Sequence, residues 1–284
     1  MRTLTAERLK VPGAEIHYEV RGRGPALLMI PGGPTDAGVF DEIADVLSER
    51  YAVITYDPRG NSRSTFEGGP PDVRVEVHSD DAARLIAAVD EGPAYVFGSG
   101  GGATYGLDLA AFYPSHVRAL VAHEAPVTSL LPDAARWRTF NDELHATYLE
   151  GGLEAALKLH DEAFGLRERD GSDCRPRVSN RAADTLERVD GNMDLYFRVM
   201  NRLITEYVPA VDVLAISSPA VIVGGGEGSC GQLPYRAART LARKLWTNPF
   251  VHFPGDHSGF ATHVEEFAER LAAVFSSSEA RREA

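Results

Sequence analysis

The chain has only two cysteines in 284 residues, Cys174 and Cys230, far apart and without metal-ligand spacing. That excludes a disulfide framework and a cysteine-based metal site as the basis of the fold, and a reducing cytoplasm is the expected setting. No apolar run approaches the ~18 residues of a membrane-spanning helix. Residues 1–10 alternate polar and apolar and lack the continuous apolar stretch of a secretion signal. Basic residues are short as well: 29 Lys and Arg stand against 41 Asp and Glu, a net charge of −12. Such a surface disfavours nucleic acid and anionic membranes as partners. No internal repeat is visible, no metal or cofactor is expected, and no pattern in the chain speaks to oligomeric state.

What is present suffices for a large core, with 44% hydrophobic and 25% charged residues. The length fits one large α/β domain with an insertion, or two domains. Residues 4–11 and 15–20 flank Pro12-Gly13-Ala14 and read as an antiparallel hairpin. The fully apolar segment 26–30 reads as a strand ending at Pro31-Gly32-Gly33-Pro34. A helical period at 40–47 precedes a strand at 51–56, and 75–89 reads as a helix with Asp80 and Asp81 on its wet side. The strand 94–97 runs into Gly98-Ser99-Gly100-Gly101-Gly102 and straight on into a helix at 103–112. The strand 117–122 closes with His123-Glu124. From 126 to about 210 the β signal vanishes, and helical patterns stand at 137–149, 153–164, 181–189 and 193–205, with a polar loop at 167–175. Strands resume at 220–223 and 250–253 among helices at 235–244 and 260–275, and the polar tail 276–284 is expected to fray. The pattern predicts an α/β fold with a mostly parallel sheet flanked by helices. Its core spans 1–126 and 211–284, and a helical lid is inserted over 127–210.

A strand followed by G-x-x-x-G and a helix is the sequence form of a nucleophile elbow. Two further stations follow the same order: the glycine-rich loop Pro31-Gly32-Gly33-Pro34 after an early strand, and Gly255-Asp256-His257-Ser258-Gly259 after the last one. With the stretch Tyr56-Asp57-Pro58-Arg59-Gly60-Asn61-Ser62-Arg63-Ser64, these make the chain resemble the α/β-hydrolase superfamily, in its lid-bearing esterase, peptidase and epoxide-hydrolase-like branch. The resemblance implies that the N–H groups of Gly33 and Gly101 form an oxyanion hole and that His257 is the general base. The acid orienting His257 usually follows the strand 220–223, where Glu227 stands and no aspartate does. Glu124, at the end of the preceding core strand, is the favoured partner and Glu227 the alternative.

The departure from the family lies at the centre of G-x-S-x-G, where this chain has Gly100. Glycine offers no atom for a covalent intermediate and relieves the backbone strain of the turn. Ser99 and Cys230 are alternative nucleophiles by type, but the Ser99 side chain would leave the turn in another direction, away from the site His257 faces, and Cys230 reads more readily as an incidental loop thiol. His123 reads as packing beside Glu124, and His252 and His263 as surface residues. Asp57 and Arg59 resemble a structural turn of the family, in which Asp–Arg contacts hold the strand end. Trp137, Phe140, Tyr148, Tyr196 and Phe197 could line a substrate pocket, but at helical spacing they read first as lid core.

Three functions fit. The first is acid–base chemistry by His257 on a small carbonyl compound without a covalent nucleophile, of lyase, cyclase or isomerase type or by direct activation of water. The second is an ester, lactone, amide or epoxide hydrolase whose serine has been replaced by glycine. The third is a ligand-binding pseudoenzyme on a hydrolase scaffold.

Overall fold

The computed structural model describes residues 4–68, 72–90, 92–165, 181–217, 219–246 and 249–283. The loop expected at 167–175, and Cys174 within it, lie outside the described residues.

Among the described residues nine strands form one sheet: β1 (Leu4–Val11), β2 (Ala14–Arg21), β3 (Ala26–Ile30), β4 (Ala52–Tyr56), β5 (Thr65–Phe66), β6 (Ala94–Ser99), β7 (Val117–His123), β8 (Ala220–Gly226) and β9 (Val251–Phe253). Their order is β1-β2-β4-β3-β6-β7-β8-β9, with β5 paired to β2. The first hairpin is antiparallel, as its turn predicts, and β2 joins β4 antiparallel. From β4 through β9 every pairing is parallel. Strand β3 has β4 on one side and β6 on the other, so the chain direction across the sheet reverses there. In open parallel sheets a site forms outside the carboxyl ends of the strands at such a switch point.

Alternation along the strands divides the core in two. Leu28, Ile30, Ile54 and Val96 face one layer with α2 (Val75–Val89) and α3 (Gly101–Phe112). Leu27, Met29, Val53 and Phe97 face the other, with α1 (Asp41–Leu47) and the terminal helix Val264–Glu283. Both faces are covered, which is why β3 reads as continuously apolar. Each such side chain, fully buried, contributes about 1.5–3 kcal/mol. Helix α3 lies unusually close to β3: a Cβ on Gly102 would stand 2.0 Å from the Ile30 carbonyl oxygen, so only glycine permits that approach.

Between β7 and β8 the described residues hold α4 (Ala134–Phe164), α5 (Arg181–Leu195), a π-helical turn at Tyr196–Met200 and α6 (Asn201–Glu206). The two helices expected at 137–149 and 153–164 are one element broken at Gly152, whose φ of 76° and ψ of −168° are not helical. Helices α7 (Val211–Ile216), α8 (Leu233–Leu245), α9 (Gly259–Thr262) and α10 (Val264–Glu283) complete the chain. The tail expected to fray is the last part of α10. Ser276, Ser277 and Ser278 bond back to carbonyls of the preceding turn, and Phe275 is fully buried.

Two expectations about charges need correction. Asp81 is not on the wet side of α2. It is fully buried, and its carboxylate takes both Nε (2.7 Å) and Nη2 (2.6 Å) of the buried Arg59. Burial pushes the Asp81 carboxyl up to about 6, against the pull of Arg59. A buried charge of this kind persists only when paired, and apolar periodicity cannot reveal a partner 22 residues away. Asp57 therefore does not hold Arg59. It grips Arg63 bidentately, at 2.8 and 2.9 Å.

Candidate functional site

The carboxyl ends of β3, β6, β7 and β8 bring the candidate residues together. Strand β7 ends at His123, and Glu124 follows with a left-handed φ of 51°. Its own N–H bonds the Gly224 carbonyl (2.9 Å), which turns the fully buried carboxylate across the sheet. Glu124 Oε1 accepts the Gly226 N–H at 2.8 Å, and Oε2 lies 2.7 Å from His257 Nδ1. Burial pushes this carboxyl up, but the hydrogen bond and charge of His257 outweigh it and hold the group at about 2. For His257, burial acts to lower the pKa, while the bond to Glu124 and its charge prevail and raise it above 6.5.

An ionised carboxylate only accepts, so neutral His257 carries its proton on Nδ1 and leaves the Nε2 lone pair free. That lone pair meets Gly100. The glycine forms the turn between β6 and α3 with φ 55° and ψ −121°, and an ideal Cβ on it would stand 3.3 Å from His257 Nε2. The turn is held by Gly100 N–H on the His123 carbonyl (3.0 Å) and by Ala103 and Thr104 N–H on the Gly100 carbonyl (3.1 and 3.3 Å). The His257 side chain keeps 28% of its surface exposed, so a small molecule can reach it.

Gly33 and Gly101 also converge, since a Cβ on Gly101 would lie 2.9 Å from the Gly33 nitrogen. As the first residue of α3, Gly101 has no intrahelical partner for its N–H. No described residue accepts a hydrogen bond from either N–H. Thr35 fixes the preceding peptide: its N–H (3.1 Å) and Oγ1 (2.6 Å) both donate to the Gly32 carbonyl. In a trans peptide the N–H points opposite the carbonyl, so this bond directs the Gly33 N–H. From above, Ile204 and the ring of Tyr196 crowd Gly101 and Gly33.

The remaining candidates fall outside this cluster. Ser99 is buried, with its Oγ 3.3 Å from His123 Nδ1. His123 is fully buried against Phe97, Phe253 and Phe267, and desolvation lowers its pKa to about 4, so it stays neutral. Glu227 and Cys230 are both exposed and neither bonds His257. His252 and His263 are exposed. Tyr196 and Phe197 pack with His160 in the helical segment. Among the described residues no group of three His, Cys, Asp or Glu could hold a metal, and no helix is long and apolar enough to cross a membrane.

Sequence reasoning did not single out Thr35, Asn61 or Asn192, which shape the Gly33 loop. Asn61 lies inside the Tyr56–Ser64 motif and Thr35 directly follows the Pro31–Pro34 loop. Asn192 lies in a helix far along the chain, where nothing local distinguishes it from a surface amide.

Comparison with known proteins agrees with this architecture. A family model described as alpha/beta hydrolase fold matches residues 25–264. The chain is 38% identical over 274 residues to the uncharacterized hydrolase YraK of Bacillus subtilis (strain 168), covering 95% of both chains. It is 29% identical over 163 residues to a zearalenone hydrolase of Bionectria ochroleuca, covering 53% of this chain and 61% of that one. The crystal structure of an alpha/beta hydrolase from Sphaerobacter thermophilus DSM 20745 superposes with a TM-score of 0.67 at 23% identity, over 93% of this chain and 100% of that one. That identity speaks to fold alone. Strand order, the strand–turn–helix at Gly100 and the extent of the family match agree, and this chain belongs to the α/β-hydrolase family.

Proposed function

We propose that the chain hydrolyses a small ester-like or lactone-like carbonyl compound, with His257 activating water directly and Gly100 at the family's nucleophile position. The observation that carries this reading is the alignment of His257 Nε2 with the Gly100 turn, 3.3 Å from where a side chain would begin. Water hydrogen-bonded to Nε2 there sits beside the Gly33 and Gly101 N–H groups. Its oxygen attacks the substrate carbonyl carbon while its proton passes to Nε2. The carbonyl π electrons move onto oxygen, and the resulting oxyanion is held by the two N–H donors. The imidazolium, steadied by Glu124, returns the proton to the leaving alkoxide as the carbon–oxygen bond breaks. Acid and alcohol result, with His257 neutral again. Helices within 127–210 act as a lid, with Tyr196 and Ile204 as its underside over the donors. The same base could serve elimination or isomerisation, but the hydrolase relatives favour hydrolysis.

The test is pre-steady-state. With p-nitrophenyl acetate the enzyme is expected to release p-nitrophenolate without a burst, and quenched samples are expected to carry no acetyl adduct. A burst equal to the enzyme concentration would mean a covalent intermediate and end this reading.

The raised pKa of His257 gives a second expectation. Neutral imidazole is the active form, so the rate is lost as pH falls through the folded pKa, and the acid limb of kcat/KM lies above pH 6.5. Glu124→Gln removes the negative partner and moves that limb to lower pH. The plateau also falls, by about tenfold to a hundredfold. With one amide oxygen committed to Gly226 N–H, the amide NH2 faces His257 Nδ1 and forces the ring proton onto Nε2. A limb that stays in place in E124Q would remove Glu124 as the partner that matters.

One observation favours a second reading, a serine hydrolase whose nucleophile has been replaced by glycine. The turn keeps a conformation that aims its central residue at His257, although glycine does not need it.

A further inference from the structure

We propose that Asn192 is a positioning residue through which the lid sets the direction of the Gly33 N–H. This rests on the reading of Gly33 as an oxyanion donor. Asn192 is 5% exposed and projects from α5 into the seam between two core loops. Its Oδ1 accepts the Ser62 N–H at 2.7 Å, and its Nδ2 donates to the Pro34 carbonyl (2.7 Å) and to Ser62 Oγ (2.9 Å). The orientation of the amide is unambiguous, because Ser62 N–H can only donate and the Pro34 carbonyl can only accept.

The neighbouring residue completes the arrangement. Asn61, fully buried, donates its Nδ2 to the carbonyls of Gly33 (3.1 Å) and Thr35 (3.0 Å). The carbonyls of Gly33, Pro34 and Thr35 are therefore all pinned by two side-chain amides. One comes from the core; the other comes from the lid. Thr35 in turn holds the Gly32 carbonyl, opposite the Gly33 N–H. Ser62, which Asn192 grips, has a strained left-handed φ of 51°, so the loop it shares with Asn61 depends on outside contacts to keep its shape. Release of Asn192 loosens Pro34 and Ser62 together. The Gly33 peptide between them then loses its fixed aim. Donor alignment counts in the transition state more than in substrate binding, so the effect belongs in kcat and not in KM.

Asn192→Ala and Asn192→Asp are to be compared with Arg188→Ala. The aspartate keeps the acceptor for Ser62 N–H but turns an oxygen against the Pro34 carbonyl. It is close to isosteric, so it tests the idea even if the alanine variant folds poorly. Arg188 docks the same helix, through Nε to Asp36 Oδ2 at 2.5 Å, without touching the Gly33 loop carbonyls. Both Asn192 variants are expected to lower kcat for p-nitrophenyl acetate about tenfold or more, with KM within twofold, and to shift the Gly33 amide resonance in 15N-glycine spectra. R188A is expected to leave kcat within twofold and that resonance in place. An unmoved Gly33 resonance in N192D, or an R188A loss as large as that of N192A, overturns the proposal. A resonance that moves while kcat holds supports the coupling and removes instead the assignment of Gly33 as an oxyanion donor.

Discussion

Replacing His257 with alanine is expected to lower kcat/KM for p-nitrophenyl acetate by about 10²–10⁴-fold, the range a positioned general base supplies. Nothing else among the described residues can take over. Glu124 is fully buried and already accepts Gly226 N–H, so it cannot reach water or substrate in place of the ring. His123 is sealed among aromatic rings. The variant also leaves the buried Glu124 carboxylate without its ring partner, which destabilises the fold and adds unfolding to the loss. Added imidazole separates the two. Because His257 is partly exposed, imidazole can enter the space the truncation leaves and restore activity, which it cannot do for an unfolded chain. A variant retaining more than a third of wild-type kcat/KM would remove His257 from the mechanism.

The local parts of this site were legible in the sequence. The turn at 98–102, the glycine loop at 31–34 and the histidine after the last strand each combine a strand end with residues that only a tight turn requires. Glu124 can be picked out from the sequence because the end of β7 is a fixed point of a parallel sheet, and its carboxylate lies 2.7 Å from His257 Nδ1. What was not legible depends on long-range pairing. A helical period puts Asp81 on the solvent face because it scores charge as exposure, and the Arg59 that holds it lies in a loop before α2. Asn192 is 130 residues from Ser62, and no local pattern reports a contact of that span. The β5 pairing to β2 involves only Thr65 and Phe66, too short to carry an alternation signal. Helix α10 extends through the polar tail because Phe275 and Ser278 are buried, which composition alone does not reveal.

Gly100→Ser is expected to convert an enzyme inert to fluorophosphonate probes into one labelled stoichiometrically at residue 100. Serine at φ 55° and ψ −121° carries backbone strain of about 1–3 kcal/mol, and its Cβ would sit 3.3 and 3.4 Å from Nε2 and Cε1 of His257. That contact is slightly tight, and a partly exposed imidazole can yield the few tenths of an ångström required. The same closeness puts a hydroxyl within reach of Nε2. The serine oxygen then attacks phosphorus, its proton passes to His257, fluoride leaves, and the phosphoryl oxygen rests on the Gly33 and Gly101 N–H groups. The effect is all or none, which makes it more decisive than any rate. Labelling at residue 100 accompanied by a burst with p-nitrophenyl acetate means that the turn, the base and the donors are aligned as in a serine hydrolase. An unlabelled G100S at a pH where His257 is neutral would break that alignment and with it the placement of Gly100 opposite the base. Labelling of the wild-type chain at Ser99 would return the nucleophile to a side chain that here faces His123. The burial of Ser99 and the direction of its hydroxyl argue for the opposite result, with the wild type unmodified and its chemistry left to water.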